Sequence, residues 1–587
     1  MATRAAGTRQ HRTTAAANTP TAGIVYAAGT DAAAGTDAAA GTDAAAGNGS
    51  VDGFAATPPA AAVPTQPDRL VFQCEVKLRA PLPFTLPDLA TPPDIVRGPT
   101  ASCRLETTYF DSVDLALAAS GISLRHRPGT SGAPWTLKLP PLDDDSTPVE
   151  RELSFDDDGD AVPLAAREQV HPYLRSRVLL PAARLVSART TIELLSRARV
   201  QVAMVVLDDV TAYHAGEQVS RFAEIEVKTA GLDRTSRMVL EQLVRELIEA
   251  GCSLVATAPK LLRAFGVLSP VGLPQSRPLR RTGDRAELEE LMAAAFSAAA
   301  ARLLAHDVGV RFSDDIEDVH QFRVANRRLR SALRTFRPVL DDRTGLTQLR
   351  RELSWLGRLA GPVRDADVLL ERLTTQLARL PEPDARAGTE LLSRLSDQRT
   401  WHRETLLAGM RSPRYDLLLD AVVSTAAHPP LLERADATTR SSAYLRRATR
   451  SRWLALARLV ESMDEAMTVS QLHDIRIKAK WSRYTAQAAE PVLGRPAARI
   501  AAAAAMVQTV LGDLLDTVAA EQWLRAAAEE DAQPALVIGQ LVATERHEAE
   551  RLRQRWPRVW ESAASTAEGG LAALDKRRDA GPPDNRH

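Results

Sequence analysis

The 587 residues read as a multidomain α+β chain: a β-rich N-terminal domain, then an all-α body built by internal duplication. Three observations predict this. From Leu70 onward, short runs such as FQCEVKL, WTLKL and RFAEIEVK alternate at period two, the pattern of strands with one charged face. From Ala286 onward, Ala- and Leu-rich stretches dominate, and aromatics make up only 4% of the chain, which favours helix. One helical signature also occurs twice. His320, Arg323, Arg327 and Arg330 step by three, four and three residues, and His473, Arg476, Lys480 and Arg483 do so again.

A chain of this length holds several domains, and a hydrophobic content of 45% is enough for sizeable cores. Its 74 basic and 74 acidic residues cancel. A polyanion binder without net charge must segregate its charge locally. Cys74, Cys103 and Cys252 are scattered, so neither a disulfide framework nor a metal finger is expected. The most apolar windows, around 291–301 and 500–515, are short or interrupted, so no membrane span is expected. The basic start lacks the apolar segment of a secretory signal, and a cytoplasmic location is expected.

Residues 1–66 are low in complexity, with GTDAAA recurring at Gly29, Gly35 and Gly41, and are expected to be a disordered tail without chemistry. The β-rich domain spans 67–266. Its strands carry both signs of charge on one face: Glu75 and Lys77; Arg125 and Arg127; Lys138; Arg151; Glu224, Glu226 and Lys228. Such a face is either simply wet or the lumen of a barrel. In a lumen, Lys and Arg would neutralise phosphate oxygens while carboxylates hold Mg²⁺ or Mn²⁺. No Gly-rich phosphate loop is present, so side chains would have to hold the phosphates.

At QCEVK, TTYFDS (107–112), LRHR (124–127), LKLP (137–140), RE (151–152), LDDV (207–210), EIEVK (224–228) and Lys260, the chain resembles the CYTH family, the triphosphate tunnel metalloenzymes. The resemblance implies an eight-stranded antiparallel tunnel and metal-dependent hydrolysis of tripolyphosphate or a related triphosphate. It makes Glu75, Asp208, Glu224 and Glu226 metal ligands for Mg²⁺ or Mn²⁺. Glu75, Lys77, Arg125 and Arg127 become the catalytic set, and Lys138, Arg151, Arg189, Lys228 and Lys260 grip the phosphates. Gln73 departs from the pattern, which has Glu there. An amide supplies no charge to a metal, which argues for reduced or lost activity.

Residues 267–284 are Pro-rich and basic and read as a linker. The helical body follows over 285–562, divided at AAHPPLL (426–432), and 563–587 reads as a polar tail. At 100° per residue, His320, Arg323, Arg327, Arg330 and Arg334 fall in one sector. Phe322, Ala325, Leu329, Leu333 and Phe336 fall largely opposite, and no acidic residue interrupts 320–340. This is a cationic ridge on an apolar keel. Gly361-x-x-x-Asp365 follows the first ridge and Gly512-x-x-x-Asp516 the second. His473 lies 153 residues after His320, and Gly512 lies 151 after Gly361. Two copies of one ridge point to an anion-binding groove lined from both sides.

Neither His320 nor His473 has a second His or Cys at ligand spacing, so phosphate contact is favoured over metal binding. Asp365 and Asp516 are expected to orient ridge arginines, and Trp135, Trp355, Trp453 and Trp481 to serve packing. VHQFRVANRRLRSALRTF, GPVRDADVLL and LHDIRIKAKWSRY resemble the CHAD family, the conserved-histidine α-helical domain. That resemblance implies two related helical bundles whose basic surface binds inorganic polyphosphate, with a location at polyphosphate granules. The ridges lack aromatic interleaving in sequence and no nucleic-acid signature is present, so nucleic acid is not an expected partner. Two functions stay open: a polyphosphate-binding protein with a degenerate tunnel, or a triphosphatase whose helical body recruits polymer.

Overall fold

The computed structural model describes residues 71–89, 94–129, 132–140, 149–229, 234–255, 259–266, 284–432, 441–463, 467–530 and 534–579. The expected N-terminal tail, nearly all of the linker and the Gln73 side chain lie outside them. The described residues belong to one compact unit.

The first half comprises β1 (Val71–Ala80), β2 (Ile95–Asp111), α1 (Ala116–Ala119), β3 (Ser123–His126), β4 (Trp135–Leu139), β5 (Val149–Phe155), α2 (Leu164–Leu174), β6 (Leu180–Ser196), β7 (Gln201–His214), β8 (Glu217–Thr229), α3 (Arg234–Glu249), β9 (Ser253–Leu254) and α4 (Lys260–Ala264). The strand order is β5-β4-β3-β2-β6-β7-β8-β1-β9, and β1 also pairs with β5. That last pairing closes eight strands into a ring, with β9 an added strand on β1. Every pairing is antiparallel. Closure removes the sheet edges and gives alternate residues an interior to face. Where Ile225 and Val227 point outward they meet Val239, Leu243 and Leu247 of α3 in a buried cluster.

The second half comprises α5 (Asp284–Phe312), α6 (Ile316–Thr335), α7 (Leu346–Leu377), α8 (Glu382–Ala387), α9 (Thr389–Met410), α10 (Pro413–Ala427), α11 (Ser441–Glu461), α12 (Val469–Leu493), α13 (Arg495–Glu530) and α14 (Ala535–Asp579). The duplication is visible in the packing. Helix α6 lies between α5 and α7 as α12 lies between α11 and α13, and α6 meets α12. Each ridge helix has its own start signal. Asp315 caps α6 by accepting from the Glu317 amide, while Thr468 and Gln471 form a reciprocal capping box on α12. The keel residues Val319, Phe322, Ala325, Leu329 and Leu333 are all buried. By length and composition, α13 and the 288–312 part of α5 are apolar enough to cross a membrane, but they pack within the helical body.

One expectation needs correcting. The last helix does not end near Ser562 but runs to Asp579, because Ala563, Ala567 and Leu574 form a buried stripe. The two halves pack directly against each other. Leu137, Leu153, Phe155, Val170 and Tyr173 share one core with Leu291, Phe296 and Leu304 of α5. Across this seam His171 bonds Asp416 at 2.7 Å, and Arg175 donates to Asp420 at 2.5 Å.

Candidate phosphate-binding sites

Strand register assembles the tunnel interior. Glu75 stands opposite Lys228 and Lys77 opposite Glu226 across β1 and β8. Asp208 stands opposite Glu224 on one side and Arg189 on the other. Lys138 faces Glu152 across β4 and β5. Directly opposed residues share a face, so the ladder carries these groups around one lumen.

The contacts are dense. Glu75 lies 3.3 Å from Lys77, 3.6 Å from Lys138 and 3.7 Å from Lys228. Glu152 lies 3.5 Å from Arg125 and 3.4 Å from Lys138. Arg189 grips Asp208 with two bonds of 2.8 and 2.7 Å. The Lys260 ammonium is 2.5 Å from Asp208, 2.9 Å from Glu226 and 3.4 Å from Glu224. Arg263, which the sequence reading passed over, pairs with Glu224. Burial pulls the Lys260 ammonium down, but Glu226, Glu224 and Asp208 outweigh it and hold its pKa well above the usual value. Burial alone would raise Glu226; Lys260, Lys228, Lys77 and Lys138 hold it well below the carboxylate range. Glu224 goes the other way, raised by burial. Burial, with Arg125 and Arg189 nearby, brings Arg127 down to about 10, and its Nε donates to Thr107 at 3.0 Å.

Arg151 does not join this set. Its strand neighbours Leu153 and Phe155 face the helical core, and period two places Arg151 with them. It is buried near Tyr173 and Asp318, and its Nε donates to the Pro140 carbonyl at 3.4 Å. Glu152, not in the expected set, takes the lumen position.

Hard carboxylate oxygens suit Mg²⁺ or Mn²⁺. Among the described residues, however, no three side chains of His, Cys, Asp or Glu are arranged to hold a metal ion. Asp208, Glu224 and Glu226 converge on an ammonium instead. The side chains as placed do not fit a metal.

The groove is built differently. Burial and the neighbouring Arg476, Arg327 and Arg323 bring Lys480 down to about 7, with Asp365 opposing. Arg323 is lowered by burial and by Arg327, Arg364 and Arg476, again against Asp365. His320 is lowered by burial and by Arg364, Arg327 and Arg323, so it favours the neutral form. The two ridges therefore do converge, and Arg364 of α7 joins them. Buried Arg327 Nε, Arg364 Nη1 and Arg476 Nε have no hydrogen-bond partner among the described residues.

The repeated Gly-x-x-x-Asp seats the ridge. A side chain at Gly361 would sit 3.1 Å from Arg323 Nη1, and one at Gly512 would sit 3.5 Å from Arg476 Nη2. Arg323 donates to the Ala360 carbonyl at 3.0 Å and lies 3.5 Å from Asp365. Asp516 lies in the field of Arg476. The outer ridge runs elsewhere. Arg334 lies 4.0 Å from the Trp481 ring centre, with Lys478 at 4.8 Å and Arg452 at 5.8 Å. Burial and Arg350, Arg452, Arg330 and Arg337 bring Arg334 down to about 10. Arg483 donates to Gln508 at 3.3 Å and lies near Tyr484, as Arg327 does. Trp481 is thus a platform for cations and not only a packing residue, and the ridges do carry aromatics. Side chains from α6 and α11 cross to α12 here, which spacing within one helix could not show.

The CHAD domain profile matches residues 294–525. An uncharacterised protein of Mycobacterium tuberculosis is 32% identical over 480 residues, spanning 77% of this chain and 88% of the relative. The chain belongs to the CHAD-domain family. A CHAD domain from the plant Ricinus communis is similar in structure, with 25% identity, a TM-score of 0.38, and coverage of 51% of this chain and 95% of that one. An adenylyl cyclase-type protein from Hippeastrum, described by a dominant triphosphatase activity, matches at 16% identity and a TM-score of 0.18, covering 34% of this chain and 98% of its own. The CHAD match spans α6, α7 and α12 with both cationic ridges, while the closed tunnel lies outside it.

Proposed function

We propose that this chain binds inorganic polyphosphate in the CHAD groove between α6 and α12, and that the tunnel is a second site for a tripolyphosphate-type anion. The observation that carries the reading is the gathering of Arg323 and Arg327 of α6 with Arg476 and Lys480 of α12 where the two helices meet, close enough that Arg323 and Lys480 are lowered by the cations around them. Asp365 and Asp516 offset only part of this gathered charge, and a flexible polyanion supplies the rest along its length. The test is binding of long-chain polyphosphate and of duplex DNA to the full chain at physiological salt. Polyphosphate is expected to bind at least about tenfold more tightly, a difference of about 1.4 kcal/mol. Equal binding would defeat the assignment. A cytoplasmic location at polyphosphate granules belongs to the same proposal and is checked by imaging the tagged chain.

Hydrolysis is the second reading, favoured by the presence of Glu75, Glu224 and Glu226 on the lumen face. Phosphate release from tripolyphosphate with Mn²⁺ or Mg²⁺, abolished in Glu75→Ala, would support it. No release above that control, in a folded chain that still binds polymer, would leave a binding protein.

A further inference from the structure

The acidic side of the tunnel is already neutralised from within. Three carboxylates, Asp208, Glu224 and Glu226, meet four cations, Arg189, Lys228, Lys260 and Arg263. All three carboxylates are buried, Glu224 completely. Two of the cations come from one short segment, α4, which places Lys260 and Arg263 on the same turn. The Lys260 ammonium touches all three carboxylates within 3.4 Å, the position a divalent cation would need. To enter, a metal would have to expel that ammonium and leave it buried without its partners, which is unfavourable.

We propose that Lys260 is the resident cation of the tunnel, so that the tunnel takes a tripolyphosphate-type anion without a divalent metal. This rests on the tunnel being a triphosphate site. Lys260 and Arg263 fix the carboxylates in place and cancel the charge that would otherwise repel a phosphate chain. The anion is held along the same lumen by Lys77, Lys138, Lys228 and Arg125, which surround Glu75 and Glu152. Such a site works by electrostatic complementarity alone, and no bond need form or break in it.

The experiment measures tripolyphosphate binding by calorimetry to the full chain carrying Arg323→Ala and Arg327→Ala, which weakens the groove. Titrations are run in EDTA and again in Mn²⁺. Equal affinity in the two, within about twofold, is the expected result, and Lys260→Gln should weaken binding in EDTA by about tenfold or more. Lys260→Gln should also gain Mn²⁺ binding, read by the loss of free Mn²⁺ resonance, as the vacated carboxylates accept the ion. If Lys260→Gln does not fold, Lys260→Arg keeps the charge and is expected to retain metal-free binding. Binding that appears only with Mn²⁺ overturns the inference but keeps the tunnel as a triphosphate site. Absence of binding in both conditions overturns the inference and the triphosphate reading of the tunnel together.

Discussion

The tunnel and the groove both gather cations, but the tunnel pairs them far more densely. In the tunnel every carboxylate named above lies within 3.6 Å of a lysine or arginine, and Lys260 alone serves three. In the groove Arg323, Arg327, Arg476 and Lys480 face one another, with Asp365 about three-quarters exposed at the rim. The difference teaches what each region does without ligand. The tunnel is a neutralised, interlocked wall that contributes to the fold, whereas the groove stores repulsion that an incoming polyanion relieves.

The largest test of that contrast is removal of one cation from each. Lys260→Gln removes a buried cation shared by Asp208, Glu224 and Glu226, leaving them only Arg189, Arg263 and Lys228, and should destabilise the chain by about 3–5 kcal/mol. Lys480→Gln should leave thermal stability unchanged or raise it, since a crowded positive charge is lost. Equal losses in thermal denaturation would erase the distinction.

Protonation gives the next effect. Lys480 is half-charged near pH 7 without ligand, and a bound polyanion would favour its charged form. Polyphosphate binding should therefore take up protons, and affinity should fall on the order of tenfold from about pH 6.5 to 8.5. Calorimetry in buffers of different ionisation enthalpy measures the uptake, and Lys480→Arg should flatten the profile. Without ligand the sign reverses. A lysine whose folded pKa is lowered leaves the unfolded chain with more bound protons between about pH 7 and 10, so its contribution to stability rises across that window. Glu226 and Asp208 act with the same sign in acid. Their depressed folded pKa values mean that their contribution is lost as pH falls through the carboxylate range.

The smallest effect separates the two copies of the repeated Gly-x-x-x-Asp. A Cβ at Gly361 meets Arg323 at 3.1 Å, tighter than ordinary contact, whereas at Gly512 the nearest atom is at 3.5 Å. Gly512→Ala should gain helix propensity, up to about 1 kcal/mol, with binding intact. Gly361→Ala should displace Arg323 and weaken polyphosphate binding. Identical behaviour of the two would mean that the repeated glycine does not seat the arginine.

Much of this was legible in the sequence because it follows fixed periods. The ridge spacing, the duplication and the alternating EIEVK face each survive in the structure. Arg151 was misplaced although the signal was present: Leu153 and Phe155 on its parity are apolar, so its face had to be the packed one. The tail was misjudged for a similar reason, since small residues such as Ala563 and Ala567 bury a stripe as effectively as large ones where helices approach closely. Lys260 meeting three carboxylates, and Trp481 gathering cations from α6, α11 and its own helix, depend on chain segments distant in sequence. No period within one element encodes them.

The most direct test of the account is long-chain polyphosphate binding by the full chain and by the double variant Arg323→Ala with Arg327→Ala, across a salt series that includes physiological salt. The account predicts a folded variant with affinity lowered on the order of tenfold to a hundredfold, and a slope of log affinity against log salt reduced by about two. A variant that binds as tightly as the parent, with the same salt slope, would contradict it.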